Sequence, residues 1–438
     1  MKPTDQVLRD LAEASDIAVR TSSELVGKVR KAAAKDDAKR KQRDDRLRRK
    51  TDLTELPRSS KAQSLHLPPW HVLHELAHAL SLSRQGASRG LAEHWGSLKY
   101  SQALDSESGF FMELSGEGKS NVAQQYKRIQ SQELGHGFAR LLTRHILRQR
   151  HPDHFVSIVS ADVVLKAGWA NRSYKYNYQP DFFAEIWKPG EPSLVIPIAA
   201  KGNHDRRPIT SHNQLASCSA HAEAVVIGEL GETPALLFST ELSPEGPLTV
   251  HALESRGEGG WLLSSERSRL DVPLLDKGYL PGIEGSPDDE PGFHVNPERF
   301  GWFQHVLART AAAGVTAFAG DGGATVQYLT KRQGSGHYRV PFAHAATGSV
   351  RDATYTFFGI RFVGTDHVFR LNNKRVEAFS GVVESLFDLL SEGRVEEYRR
   401  RVYAQRGRWC DDKQPSGWKG PISVHDDGTV LAMRRLLN

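Results

Sequence analysis

Cysteine is scarce in this sequence, with only Cys218 and Cys410 among 438 residues. Two cysteines exclude a disulfide framework as the main support of the fold, and such low use is typical of a reducing compartment. Long apolar runs are also missing, since none approaches the roughly 18 residues of a membrane-spanning helix. No apolar segment follows the first residues, as it would in a secretion signal. We therefore expect a soluble cytoplasmic protein without a membrane partner.

Positive charge is concentrated in one stretch of the chain. Residues 28–50 hold twelve Lys or Arg against four Asp, a local net charge of +8, whereas the whole chain carries +6. The basicity therefore belongs to an arm, and the remainder of the chain is slightly acidic. Such an arm predicts attraction to nucleic-acid phosphates without sequence readout. A solvated or partly disordered helix without a partner explains the same composition, and the sequence leaves both open.

An H-E-x-x-H pattern occurs at residues 74–78. On a helix it places His74 and His78 on one face, with Glu75 as a possible general base, as in zinc peptidases. No third ligand stands out. We therefore interpret the stretch as a structural helix with two partly exposed histidines, and we keep a zinc metallopeptidase that uses these three residues as an alternative function.

Two short apolar runs, 182–187 and 194–200, are separated by Lys-Pro-Gly-Glu-Pro-Ser. This pattern predicts two strands joined by a turn. In an antiparallel pair, the start of one strand lies beside the end of the other, which brings Asp181 next to Lys201. A carboxylate and an ammonium group at that place form either a salt bridge or a catalytic site.

Pro180-Asp181 and Lys201 resemble the first and last elements of the PD-(D/E)-x-K nuclease superfamily, at a spacing that the family allows. Family members carry Asp or Glu two residues before the lysine, where this chain has Ala199. Because side chains alternate along a strand, positions 199 and 201 face the same side, and the missing carboxylate would point into the site. The chain is either a naturally degenerate member or one in which alanine was placed deliberately. We favour the second interpretation because Asp181 and Lys201 are intact.

The surrounding pattern has the order of elements found in that superfamily. A helix at 121–150, a strand region at 155–165, the two strands above, a helix at about 211–223 and a strand at 235–241 give helix, strand, strand, strand, helix, strand. The resemblance implies a mixed α/β (α+β) fold with a restriction-endonuclease-like mixed-sheet core flanked by helices. We expect a helical N-terminal region and an α+β C-terminal region in addition.

Composition divides the chain into five regions. They are a basic helical or disordered arm and linker (1–68), a helical N-terminal region (69–120), the nuclease-like core (121–254), a linker or long loop (255–297) and a C-terminal α+β region of unassigned role (298–438). In the last region we predict strands at 315–319 and 325–329, a helix at 375–390, and a hairpin turn at Asp426-Asp427-Gly428.

The resemblance implies a metal-dependent endonuclease that acts on DNA with Mg²⁺ or Mn²⁺. The implied metal ligands are Asp181, the backbone carbonyl of Ala200 and, on the preceding helix, Glu133, while Lys201 orients the attacking water. Without an acid at position 199, turnover should largely disappear. By the family's habits the role is restriction or defence against foreign DNA, with a homodimer or other defence-system subunits as possible partners.

The nucleic-acid contacts are expected from polar and basic residues on both sides of this hairpin: Arg172, Lys175, Asn203, His204, Arg206, Arg207, His212 and Gln214. Such side chains can meet phosphates or bases. A non-catalytic nucleic-acid-binding subunit, in which Ala199 is native, remains a third possibility.

Overall fold

A large mixed sheet and a smaller antiparallel sheet form the framework of the protein. The structure, a computed structural model, describes residues 2–43, 47–57, 64–83, 92–106, 110–119, 123–167, 178–205, 207–228, 231–263, 270–274, 292–339, 353–407 and 417–436. Within this described part, no helix is both long enough and apolar enough to cross a membrane. The expectation of a mixed α/β fold is confirmed.

The chain up to residue 150 supplies the first helices, three strands of the large sheet and a separate two-stranded sheet of β4 and β5. They are α1 (Thr4–Ala12), β1 (Ser15–Arg20), α2 (Ser23–Lys41), β2 (Leu53–Thr54), β3 (Ser64–Leu67), α3 (Pro69–Leu80), a 3-10 helix (Glu93–Tyr100), β4 (Leu104–Asp105), β5 (Glu113–Leu114), α4 (Gly116–Lys119) and α5 (Gln124–Arg150). The structure thus differs from the expected arm and linker, because β1, β2 and β3 all belong to the large sheet.

The middle of the chain forms the centre of the large sheet. It contains β6 (Phe155–Ser160), α6 (Ala161–Leu165), β7 (Phe182–Trp187), β8 (Ser193–Asn203), α7 (Pro208–Glu223), β9 (Val225–Ile227), β10 (Ala235–Glu241), β11 (Thr249–Ser255) and β12 (Trp261–Leu262). The strand order is β3-β1-β11-β10-β8-β7-β6, with β12 also paired to β8 and β2 to β11.

Strands β6, β7 and β8 form an antiparallel meander, and α7 then crosses to β10, which runs parallel to β8. Every residue of β7 is buried, which explains its continuous apolar run apart from Glu185. Helix α5 covers one face of β8, where Ala200 shares a core with Leu134 and Phe138. Helix α7 covers the other face, so β8 lies between two helices.

The remainder of the chain builds the second sheet and its helices. It contains β13 (Phe293–Val295), a 3-10 turn (Pro297–Arg299), α8 (Phe300–Phe318), α9 (Gly322–Val326), α10 (Ser335–Arg339), β14 (Ala353–Phe357), β15 (Ile360–Leu371), β16 (Lys374–Val383), α11 (Glu384–Ser391), α12 (Val395–Gln405), β17 (Ile422–Val424) and β18 (Thr429–Arg435). The sheet order is β14-β15-β16-β18-β17. Of the expected linker at 255–297, the described parts include β12 and β13.

Three local predictions in this region are wrong. Residues 315–319 continue α8, residues 325–329 include the end of α9, and residues 374–383 form a strand in place of a helix. Strand β16 pairs with both β15 and β18, so its backbone hydrogen bonds are made across the sheet and outweigh its helix-like spacing of apolar residues. The predicted turn at Asp426-Asp427-Gly428 is confirmed between β17 and β18.

A buried ion pair joins helix α12 to strand β7 of the large sheet. Arg399 on α12 donates two hydrogen bonds of 2.8 Å to the carboxylate of Glu185 on β7. Its guanidinium also lies 3.8 Å from the ring centroid of Trp187. Both charged side chains are at least nine-tenths buried. Each neutralises the charge of the other, which would have a high desolvation free energy if it were buried alone.

Candidate functional site

Asp181 and Lys201 lie at the same end of the β7–β8 pair, but within the described part of the chain their side chains form no ion pair. The backbone N–H of Asp181 donates to the carbonyl of Ile198 at 2.8 Å. Its carboxylate Oδ2 in turn accepts a hydrogen bond of 2.7 Å from the N–H of Ala200, the residue before Lys201. The structure thus brings together the two residues that the sequence singles out, and it uses one carboxylate oxygen to close the end of the hairpin.

The Asp181 carboxylate is an anion held by positive and polar neighbours. Its side chain is 23% exposed, and His136 Nε2 on α5 lies 3.4 Å from Oδ1. Burial raises the pKa of Asp181, but the His136 imidazole, the Lys201 charge and the Ala200 N–H together hold that pKa below its usual value. His136 was not selected from the sequence, where its one signal is its position a helical turn after Glu133.

Ala199 lies in an apolar cluster on the α7 side of the sheet. It is fully buried, and the cluster includes Leu215, Cys218 and Leu237. Burial raises the pKa of the Cys218 thiol to about 12, with smaller opposing effects of Lys201 and Asp181. A carboxylate at position 199 would therefore lie next to Cys218, between α7 and the open end of the β7–β8 pair.

Glu133 is bonded to two residues of the 3-10 helix Glu93–Tyr100. Its Oε2 accepts a hydrogen bond from Tyr100 Oη at 2.8 Å and pairs with Lys99 Nζ at 2.6 Å. None of its bonds within the described part of the chain reaches Asp181 or Lys201. The role of Glu133 as a metal ligand beside Asp181 stays a prediction, and it would require the glutamate to leave its partners on the 3-10 helix.

The fit to Mg²⁺ or Mn²⁺ can be judged from these donors. Mg²⁺ prefers about six oxygen ligands in near-octahedral geometry. The site offers one carboxylate, whose oxygens already face an N–H group and an imidazole, and the expected backbone carbonyl of Ala200. As they stand, these residues do not fit the ion that the resemblance implies.

Two glycines allow α5 to lie directly on the end of β8. A methyl group at Gly202 would overlap the carbonyl oxygen of Ser131 on α5. At Gly135, a methyl group would lie 3.3 Å from the backbone of Lys201 and Gly202. This close approach places His136 beside Asp181.

Asn203 and Gln214, expected to contact nucleic acid, instead bond to each other and to the sheet. Asn203 Nδ2 donates to Gln214 Oε1 at 2.8 Å, and Gln214 Nε2 donates to the carbonyl of Gly202 at 3.0 Å. Ser239 Oγ on β10 also donates to Gln214 Oε1 at 2.7 Å. These amides fasten α7 to β8 and β10, so their role here is structural.

The other predicted contacts fall into three groups. Burial lowers the pKa of His204, which also hydrogen-bonds to the backbone of Leu242, so its imidazole serves local packing. Arg207 is 77% exposed and pairs with Asp205 at 2.6 Å. Arg172, Lys175 and Arg206 lie outside the described residues.

A basic groove of about 740 Å³ runs between α2 and α7. Leu25, Val26 and Val29 bury one face of α2, so the basic arm is an ordered helix in this part. The groove is lined by Lys28, Lys31, Ala32, Lys35, Asp36, Lys39, Arg40, Arg49, Tyr178, Ile209, His212, Asn213, Ala216 and Ser217. Of the residues predicted to contact nucleic acid, His212 is the one found in the groove.

Three lysines give the groove its charge. Lys31, Lys35 and Lys39 are exposed and four residues apart on α2, which places them on one helix face about 6 Å from each other along the axis. Within the described part of the chain they make no ion pair, whereas Arg40 is paired with Asp36 at 2.8 Å. The Arg40 guanidinium also lies 5.6 Å from the ring centroid of Tyr178.

The H-E-x-x-H histidines are buried, contrary to the expectation of partial exposure. His74 is fully buried, and the His78 side chain is 6% exposed. A third histidine, His425, comes from the β17–β18 turn and stacks on His74 with ring centroids 3.6 Å apart. No local pattern points to His425, because most of the chain separates it from the motif at residues 74–78.

Glu75 cannot serve as the general base of a peptidase. Its two oxygens bond to Arg140 Nε at 3.0 Å and to Arg144 Nε at 2.6 Å, and its side chain is fully buried. Burial raises its pKa, but the two guanidinium groups hold that pKa far below the usual value. A carboxylate so well neutralised and shut off from solvent has little tendency to take a proton from water.

Comparisons with protein-family models, with curated proteins and with solved structures found no match to this chain.

Proposed function

We propose that this chain is a DNA-binding relative of the metal-dependent endonucleases of the PD-(D/E)-x-K type, with a restriction-endonuclease-like core at α5, β6, β7, β8, α7 and β10. We further propose that a carboxylate at position 199 is what it lacks for phosphodiester cleavage. The observation that carries the proposal is that Asp181 and Lys201 lie at the same end of the β7–β8 pair, where the N–H of Ala200, next to Lys201, donates a hydrogen bond of 2.7 Å to Asp181. A role in restriction or defence against foreign DNA, and assembly as a homodimer or with other subunits, rest on the resemblance alone.

The connectivity around the site supports this proposal. The antiparallel meander followed by a helical crossover to the parallel strand β10 gives the element order that the resemblance implies. Asp181 precedes the second strand of this unit, and Lys201 lies near the end of the third. The mixed sheet extends on the β10 side with β11, β1 and β3, which leaves the hairpin end unaffected.

The groove supports nucleic acid as the partner. Lys31, Lys35 and Lys39 form a row of charges without counterions in the described part of the chain, and such rows bind phosphate backbones. Tyr178 lines the same groove and lies three residues before Asp181. A strand bound along α2 would therefore lead towards the hairpin end.

The test is to supply the missing acid. Ala199→Glu, and the smaller Ala199→Asp, place a carboxylate on the face of Lys201. We expect Mg²⁺- or Mn²⁺-dependent nicking of plasmid DNA that the wild-type chain does not perform. Because position 199 is fully buried, Cys218→Ala should be combined with the substitution to make room for the larger side chain.

A matched control distinguishes cleavage by this site from contamination. Ala199→Glu/Lys201→Met keeps the new acid and removes the ammonium group, and it should be inactive. If a folded Ala199→Glu chain remains inactive with both metals, Ala199 is native to a binding protein and the catalytic part of the proposal fails.

A non-catalytic nucleic-acid-binding subunit is the second candidate, and one observation favours it. The methyl group of Ala199 completes a closed apolar cluster with Leu215, Cys218 and Leu237, in which a carboxylate is expensive to bury without a metal. This candidate predicts DNA binding by the groove with no cleavage by any variant at position 199.

A further inference from the structure

A cluster of three buried imidazoles lies apart from Asp181 and Lys201, the hairpin site, and takes no part in the proposed function. His74 and His78 lie one turn apart on α3, and His425 comes from the β17–β18 turn. One side-chain nitrogen of each residue lies within 4.8 Å of those of the other two. Two segments far apart in sequence, α3 and the β17–β18 turn, thus bring three imidazoles together.

The nitrogens of His74 and His78 point at a common position. The hydroxyl of Thr429 bonds to His74 Nε2 at 3.3 Å and to His78 Nε2 at 2.9 Å, so both ring nitrogens face one small volume, which this hydroxyl occupies and would yield to an ion. On the opposite side of its ring, His74 Nδ1 bonds to Ser423 Oγ at 2.9 Å. This is the arrangement by which an outer hydrogen bond fixes the orientation of a metal-ligating histidine.

His425 provides an independent observation. Its Nδ1 is buried and has no hydrogen-bond partner within the described part of the chain, although buried polar atoms are almost always satisfied. The side chain is 8% exposed, so solvent does not readily supply the missing bond. This nitrogen has a lone pair that no described hydrogen bond uses. Together with the two convergent imidazoles, it could therefore coordinate a metal ion.

Two carboxylates lie against the cluster. Asp427 Oδ2 is 3.8 Å from His78 Nε2, and Glu75 Oε1 is 3.9 Å from His425 Nε2. Asp427 is thus positioned as a fourth ligand, while Glu75 is held by Arg140 and Arg144 as an outer negative charge. The Asp427 carboxylate favours a cation at this point, whereas the charge of Glu75 is already balanced by Arg140 and Arg144.

We propose that His74, His78 and His425 bind a zinc ion, with Asp427 or a water molecule as the fourth ligand, and that this ion fastens α3 to the β17–β18 turn. Imidazole nitrogen with one oxygen is a donor set that zinc takes in tetrahedral geometry, whereas Mg²⁺ prefers oxygen. Tetrahedral bonds of about 2.0–2.1 Å separate ligand nitrogens by about 3.4 Å, so small rotations of the imidazoles reach binding distance. The ion has a structural role, because the cluster is buried and Glu75 is not available as a base.

The experiment measures metal in the full chain. After purification with zinc and dialysis, elemental analysis should give about one zinc ion per chain. His425→Gln should lower zinc affinity at least about tenfold and bring the zinc content close to zero. His94→Gln is the matched control, because His94 is equally buried and contacts Phe318 as His74 and His78 do, but lies outside the cluster. It should keep the zinc.

A second readout avoids dependence on a variant that fails to fold. Zinc X-ray absorption of the wild-type chain should show imidazole nitrogens as the main ligands, and a chelator should lower the melting temperature of the wild type but not that of His425→Gln. A wild-type chain that takes up no zinc and whose melting temperature is indifferent to the chelator overturns the proposal. Retention of zinc in a folded His425→Gln chain also overturns it. An Asp181→Ala chain should keep its zinc, which separates this site from the hairpin site.

Discussion

The carboxylate of Asp181 accepts a hydrogen bond from the backbone N–H of Ala200 across the open end of the β7–β8 pair, at 2.7 Å. This bond joins Asp181 to the main chain of the residue before Lys201. It also gives Asp181 a structural role that does not depend on catalysis, so its substitution has a measurable effect on stability.

Asp181→Ala should lower the free energy of unfolding by about 1–3 kcal/mol, because it leaves the Ala200 N–H without its partner and removes an anion beside His136. Asp181→Asn should cost less, since its amide oxygen can still accept the N–H bond. Urea unfolding at neutral pH measures both values. Equal effects of the two substitutions would show that the hydrogen bond contributes nothing.

The same carboxylate makes the stability depend on pH. Its folded-state pKa lies below the usual value of about 3.9, so the unfolded chain binds the proton more readily. Its stabilising effect is therefore complete above about pH 4 and is lost as the pH falls through the folded-state pKa. The difference in unfolding free energy between wild type and Asp181→Asn should shrink over that range and stay constant from pH 6 to 8.

Lys31→Glu/Lys35→Glu should weaken binding to duplex DNA at least about tenfold at moderate salt, because two phosphate contacts are replaced by two repulsions. The slope of log affinity against log salt should decrease by about two. Lys374→Glu/Arg375→Glu is a matched control of equal charge change on exposed residues of β16. Equal losses in both double variants would assign DNA binding to net charge alone and exclude the groove.

Binding by the groove should also respond to pH through His212. Burial lowers its pKa below the usual value of about 6.5, and the nearby Lys28 charge lowers it further. The imidazole is therefore neutral at pH 7 and gains charge only below about pH 6.5, where a bound phosphate would favour the charged form. DNA affinity should rise between pH 7 and pH 5 more steeply for wild type than for His212→Ala, as fluorescence anisotropy can show. His145→Ala on α5 is the control and should leave the pH profile unchanged.

Arg399→Ala should destabilise the whole protein by about 3–5 kcal/mol, since it leaves the Glu185 carboxylate buried and unpaired inside β7. Its neighbour Arg400 is 66% exposed and forms only a 3.5 Å pair with Glu396, so Arg400→Ala should have little effect. Thermal unfolding monitored by circular dichroism compares the two. A small effect of Arg399→Ala would show that the buried pair contributes little to stability.

The sequence was sufficient for features that depend on neighbouring residues. The hairpin that carries Asp181 and Lys201 follows from two apolar runs and a Pro-Gly turn, and α5 follows from a helical repeat interrupted by His151-Pro152. These signals are local, because strand alternation and helix periodicity are set by residues a few positions apart.

Features that depend on distant segments were not accessible in this way. His425 joins His74 only because the β17–β18 turn folds back onto α3, and Glu75 changes from a possible base to a buried anion only because α5 supplies Arg140 and Arg144. Likewise, Glu133 was a reasonable ligand until the 3-10 helix placed Lys99 against it. In each case the partner that decides the role of the residue comes from another element.

The close crossing of α5 over β8 extends this argument to residues that have no side chain at all. Gly135 and Gly202 set the distance between helix and strand, and hence the 3.4 Å gap between His136 and Asp181. Even one added methyl group at position 202 would lift the helix and alter the charge balance of the carboxylate without touching any ionisable residue. Any homologue that retains the Asp181 carboxylate should therefore retain glycine at positions 135 and 202. Loss of either glycine would indicate that the carboxylate no longer has its His136 neighbour.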